Sequence, residues 1–200
     1  MNILAIDTTS DNMTVALSVK GKIFSKIGRA ESKKHNSQIL PFIDEVLAEA
    51  KISLGEVDHF ACVVGPGSFT GIRIGVSSVN ALAFALSKKC VPITALEELA
   101  FGVCEKDFYC AIDCRHDNFY YARFNGDYTN TVEIGEITLA ELEKKEKVIF
   151  KDGPSDPCAL IEIAKHKIEM GKFEMLSPLY LKKSQAEREY DDKHNMDKIG

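Results

Sequence analysis

The sequence has no tryptophan and only 6 prolines in 200 residues, and no apolar run approaches the roughly 20 residues needed to span a bilayer. Residues 1–7 lack the basic start and long apolar centre of a signal peptide, so the sequence predicts a cytoplasmic protein without a membrane partner. There is no excess of basic charge. Lys and Arg number 25 against 30 Asp and Glu, a net charge of −5, which argues against a chain that grips nucleic acid alone. A place in a complex that handles nucleic acid stays open. Six cysteines sit mostly inside apolar runs without paired short spacing, which predicts buried thiols in a reducing compartment rather than a disulfide framework.

Catalytic and metal-binding patterns are also missing. The five histidines form no His-x-x-x-His pair. Cys110, Cys114 and His116 lie close in sequence, but a strand at about 3.3 Å per residue puts the two thiols about 13 Å apart, too far to grip one zinc. Ser68 is outside a Gly-x-Ser-x-Gly elbow, so no nucleophile is assigned and the catalytic set is empty.

What the chain does carry is a glycine corner, Gly65-Pro66-Gly67-Ser68-Phe69-Thr70-Gly71-Ile72-Arg73-Ile74-Gly75. It follows the apolar run Phe60–Val64 and precedes a helix with no charge from Ile74 to Ser87. Two readings stand. Ser68 and free backbone N–H groups at the helix start could cradle an anion, or the glycines only permit a sharp turn and close packing. No P-loop lysine or dinucleotide spacing is present.

The helix after the corner carries Ile72, Val76, Val79 and Ala83 on one stripe and Phe69, Leu82 and Leu86 on others. It therefore needs cover on two sides, from this chain or from a partner. The segment His35–Ala50 has Ile39, Ile43, Val46 and Ala50 on one stripe, with Leu40 and Leu47 beside it. Pro41 inside it predicts a kink or a late start.

Taken in order, the pattern is three strands, helix, strand, helix, strand and helix up to residue 104. A similar series follows from Phe108. Ala5-Ile6-Asp7 with Asp11-Asn12 and Ala16 matches Ala111-Ile112-Asp113 with Asp117-Asn118 and Ala122 at a constant offset of 106. This predicts a duplicated α/β architecture: an N-terminal lobe over 1–104, a shorter C-terminal lobe over 105–181 and a charged, frayed tail over 182–200. Asp7 and Asp113 would then face an interlobe cleft. In a sugar kinase or actin-like ATPase such acids organise magnesium while the next turn wraps phosphate. Here Thr8-Thr9-Ser10 and Cys114-Arg115-His116 contain no glycine, which disfavours ATP in the cleft. A sugar-kinase-like phosphotransferase remains the alternative.

Ile3–Leu17, the glycine corner, Thr94–Ala100, the Asp113-x-Arg115 turn and Pro178-x-Tyr180-Leu181 resemble the TsaB (YeaZ) family, the dimerisation subunits of bacterial tRNA threonylcarbamoyladenosine synthesis. The resemblance implies an actin-like / ribonuclease H-like (ASKHA) two-lobed fold of mixed sheets flanked by helices, with no catalysis of its own. It implies a scaffold that binds and activates TsaD, which transfers threonylcarbamoyl to the adenosine next to the anticodon of tRNAs reading ANN codons. TsaE, an ATPase, would join the complex. ATP and metal would belong to the partner subunits, with no cofactor or metal on this chain alone and tRNA reached only through the complex. The two N-terminal-lobe helices would form the TsaD interface, mapped here onto His35, Ile39, Phe42, Ile43, Val46, Phe69, Ile72, Arg73, Val76, Val79, Asn80 and Ala83. Alone, the chain has two alternatives, a monomer or a homodimer through the same helices. Asp7, Thr8, Thr9 and Asp113 would mark a vestigial nucleotide cleft. The two-histidine metal motif of TsaD is absent.

Overall fold

The computed structural model describes residues 1–29 and 35–182, with the side chains of 35–37 left aside. The expected tail from 183 onward lies outside the described residues. The chain opens with β1 (Ile3–Asp7), β2 (Asn12–Val19) and β3 (Lys22–Arg29), an antiparallel meander whose first hairpin pairs Asp7 with Thr14. Helix α1 (His35–Ala50) carries the chain across to β4 (His59–Val63), and α2 (Phe69–Ala85) leads to β5 (Lys89–Ile93). Both later strands run parallel to β1, giving the order β3-β2-β1-β4-β5.

After α3 (Ala95–Ala100) the scheme begins again. β6 (Phe108–Asp113), β7 (Asn118–Phe124) and β8 (Thr131–Thr138) form a second meander, α4 (Leu139–Leu142) crosses over, and β9 (Val148–Phe150) runs parallel to β6. The order β8-β7-β6-β9 repeats the first sheet without its fifth strand. Short polar caps set the helix starts: Ser68 accepts from Gly71 N–H at 3.2 Å, and Thr94 with Glu97 forms a reciprocal capping box.

Two expectations change on contact with the tertiary structure. First, the constant offset of 106 does not survive the turn. Asp7 pairs with Thr14, but Asp113 pairs with Phe119, one residue short of the offset. A one-residue slip moves a strand's side chains to the opposite face, so Ala16 shares a face with Ala5 whereas Ala122 lies opposite to Ala111. Second, α1 passes through Pro41 as one helix, with the ring on the exposed side, where water can serve the carbonyl left unpaired one turn earlier.

The lobes are interlocked by their helices. α1 and α2 cover one face of the first sheet over a core that includes Leu4, Ile6, Val15, Leu17, Phe60 and Val79. The other face is covered by α5 (Pro157–Glu169), which follows the second sheet in sequence but packs Leu160, Ile161, Ile163 and Ala164 against Ile3, Ala61 and Val91. Conversely α3, which precedes the second sheet, packs Leu96 and Ala100 under Phe108, Cys110 and Phe124. Amphipathic helices seek the apolar face that needs cover rather than the nearest one in sequence, so a cut at residue 104 divides neither core cleanly.

Candidate functional site

The glycine corner has a specific steric task. A Cβ at Gly71 would collide with the Thr8 carbonyl oxygen, one at Gly67 with the Thr9 carbonyl oxygen, and one at Gly75 with the Thr8 hydroxyl. Missing side chains thus let the start of α2 lie directly on the turn after β1. Thr8 Oγ1 donates to Gly71 O at 2.7 Å, and Ser68 N–H donates to Thr9 O at 2.7 Å. The close-packing reading of the corner is the one its geometry supports.

That contact closes the first half of the nucleotide site. Asp7 is 1 % exposed, accepts from Thr9 N–H at 2.7 Å and from the Ser155 hydroxyl, and does not line the cleft. Ser155 also accepts from Lys151 Nζ at 2.8 Å, and Lys151 is ion-paired with Glu98, so the acid belongs to a buried network joining the lobes. In the second repeat Asp113 accepts from Arg115 N–H at 2.6 Å, the counterpart of the Asp7 turn, but is exposed at the cleft. Of the four expected cleft residues, Thr9 and Asp113 therefore line it, whereas Asp7 and Thr8 are sealed behind it. A magnesium nucleotide of the actin-like kind does not fit this arrangement, because one organising acid is sealed away and an amide of each turn, Thr9 N–H and Arg115 N–H, is already engaged. Among the described residues no group of three or more His, Cys, Asp or Glu is placed to hold a metal ion.

The expected interface residues divide sharply. Ile39, Ile43, Val46, Ile72, Val76, Val79 and Ala83 are each at most 5 % exposed and form the core under α1 and α2. This corrects their assignment to a partner surface: the most regular stripe on each helix faces the sheet, since that burial is available within the chain itself. Asn80 is half-buried and clamps the backbone of Leu176, accepting from its N–H at 3.0 Å and donating to its carbonyl at 2.9 Å. Phe42 is half-buried over Gly28. Phe69 and Arg73 do reach the outside, while the side chain of His35 lies outside the described residues.

The outward face of α2 went unnoticed in the stripe pattern. It comprises Thr70, Arg73, Ser77, Ala81, Phe84 and Ala85, with Ile74 at its margin. Arg73 is its one charge, and Phe84 is 89 % exposed. Beside it, α1 turns Leu40, 54 % exposed, and Pro41 outward. The signal was present in the four-residue spacing of Ser77, Ala81 and Ala85, small residues that let another helix approach closely. At the N-terminal end of this face Tyr180 stacks on Phe69 at 4.5 Å between ring centroids, and Arg73 Nε donates to Tyr180 Oη at 2.8 Å.

The repeated meander-plus-parallel order, the crossed helices and the cleft between two equivalent Asp turns define a duplicated actin-like / ribonuclease H-like α/β protein. The solved structure of an uncharacterized Pseudomonas aeruginosa protein with similarity to peptidase YeaZ has the same fold, with a TM-score of 0.78 at 23% identity, covering 90% of this chain and 99% of that one. The family model for TsaD, tRNA N6-adenosine threonylcarbamoyltransferase, matches residues 27–184. The tRNA threonylcarbamoyladenosine biosynthesis protein TsaB of Buchnera aphidicola subsp. Schizaphis graminum is 41% identical over 157 residues, 74% of each chain. That of Haemophilus influenzae is 35% identical over 127 residues, 62% of this chain and 53% of the relative, so the match spans about half of that relative's length. The chain belongs to the TsaB (YeaZ) family.

Proposed function

We propose that this chain is a non-catalytic scaffold in tRNA threonylcarbamoyladenosine synthesis, binding and activating a TsaD-type threonylcarbamoyltransferase that acts on the adenosine next to the anticodon in tRNAs reading ANN codons. The observation that carries this reading is the outward face of α2, an almost uncharged helix face with a fully presented phenylalanine, continued by Leu40 and Pro41 of α1. Water gains nothing from such a face, and a second helix packed on it would bury Phe84 and approach closely over Ser77 and Ala81. The match of the TsaD family model to residues 27–184 supports a partner related to this chain in fold. In this reading the ATPase TsaE joins the assembly, ATP and metal reside on partner subunits, and the complex works in the cytoplasm. The sealed Asp7 supports a subunit without its own phosphoryl chemistry.

The test is size-exclusion chromatography with light scattering on this chain, alone and mixed with the TsaD of the same source. A one-to-one heterodimer, replacing the free chain or its homodimer, is expected. Failure of the two chains to associate at micromolar concentration would remove the scaffold reading.

A further inference from the structure

We propose that the interlobe cleft is a low-affinity site for single-stranded RNA, built from side chains rather than from the phosphate-wrapping turns of its fold class. The proposal rests on the lining of the cleft, which shares Thr70 and Arg73 with the outward face of α2, and it is therefore tested on the chain without a docked partner.

The cleft has a volume of about 860 Å³ and is walled by the turns after β1 and β6, the start of α2 and residues 179–182. Four backbone donors of its wall are engaged within the chain: Thr9 N–H on Asp7, Ser68 N–H on Thr9 O, Gly71 N–H on Ser68 Oγ and Arg115 N–H on Asp113. The side chains supply a different chemistry. Arg73, Arg115 and Lys182 line the cleft with His116, against Asp11 and Asp113, so three positive and two negative charges leave +1 in a chain of net −5. Lys182 is additionally paired with Glu136 at 2.6 Å.

These cations are interleaved with rings. Phe69, Tyr120 and Tyr180 line the same space, and Phe69 and Tyr180 are already stacked. The Arg73 guanidinium lies 4.0 Å from the Phe69 centroid and is fixed by its bond to Tyr180 Oη. A pre-ordered guanidinium–aromatic platform next to further cations suits unpaired bases, which stack on rings irrespective of sequence while their phosphates meet Arg and Lys. The modest net charge predicts weak binding, which fits a contact that supports a larger assembly. An acidic peptide would use the cations but leave the rings without a planar partner.

The experiment is fluorescence polarisation of the full chain with a fluorescein-labelled 12-nucleotide oligoadenylate RNA at 50 and 200 mM salt. Binding is expected at the lower salt, with a log–log salt slope of about −1.4 for about two neutralised phosphates, at roughly −0.7 per phosphate on single strands. Arg115→Glu should weaken binding at least fivefold with an unchanged thermal melt, because Arg115 is exposed. Tyr180→Ala should do the same, while Tyr180→Phe, which keeps the ring, should retain most of the affinity. Should Tyr180→Ala fail to fold, Arg115→Glu and Tyr180→Phe decide. The proposal is overturned by no polarisation change at 50 mM salt or by Arg115→Glu binding like the parent. Equimolar displacement of the RNA by magnesium ATP, or equal binding of polyglutamate, overturns it too.

Discussion

Replacing Phe84 by alanine should separate docking from folding. The ring is 89 % exposed, so its removal leaves no cavity, and the free chain should keep its stability to within about 0.5 kcal/mol. In a complex that buries this ring, the loss is the transfer free energy of a phenylalanine side chain, about 1.5–3 kcal/mol. At 1.4 kcal/mol per decade that corresponds to roughly a 10- to 100-fold weaker Kd for the TsaD-type partner. Phe84→Arg should weaken binding further, because a guanidinium must then be desolvated or the helices held apart. Isothermal titration calorimetry reads the affinity, and a urea melt of the free chain reads the fold. Val76→Ala and Ile43→Ala are the controls: both residues are at most 5 % exposed, so their cost should appear in the melt, about 2–5 kcal/mol for Ile43. An affinity within twofold of the parent for Phe84→Ala, with the complex otherwise formed, would refute the placement of the interface on this face.

Three more outcomes follow from the geometry. Gly71→Ala should cost about 1–3 kcal/mol in a denaturant melt, since the new methyl meets the Thr8 backbone rather than a movable side-chain end; a neutral result would mean α2 does not bear on that turn. Burial holds the His59 ring, stacked on Phe173, below the usual imidazole value; Asp58 opposes this, and Lys89 and Lys88 reinforce it. The folded state thus resists protonation, and this contribution is present above about pH 6.5 and lost as pH falls from there toward the depressed folded value. His59→Phe should accordingly flatten the stability difference between pH 7.5 and 5.5, and an unchanged acid slope would exclude His59 as its source. Burial pushes the Cys62 thiol well up and that of Cys110 up to about 12, whereas Cys104 and Cys158 are exposed. Native-state alkylation followed by mass spectrometry should mark Cys104 and Cys158 first, and early labelling of Cys62 or Cys110 would contradict their burial.

Much of the fold was readable because local chemistry agreed with the global arrangement. The alternation Met13, Val15, Leu17 announced β2, the Thr94–Glu97 pair announced α3, and the stripe from Ile39 to Ala50 matched α1 residue for residue. The glycine corner was recognisable as the organising turn, and both of its readings could be written down from the residues alone. Its meaning was decided in three dimensions, where Gly67, Gly71 and Gly75 lie on Thr8 and Thr9 and shut Asp7 away.

The candidate interface shows the same division. Periodicity reveals that a helix is apolar on more than one side, as α2 is, but a stripe carries no label for what covers it. Ile72, Val76, Val79 and Ala83 went to the sheet because the sheet is part of the same chain. Ser77, Ala81 and Phe84 were left outside because, among the described residues, no element reaches them. Likewise, the repeat was visible in Asp7 and Asp113, yet the one-residue slip between β6 and β7 was not, because side-chain pairing depends on turn geometry rather than on residue identity. By itself the sequence determined the elements, their order and the family, each written in local spacing and motif. The tertiary structure alone decided which apolar faces meet, which acid is sealed and which phenylalanine remains exposed, because burial is a property of contacts between segments distant in the chain.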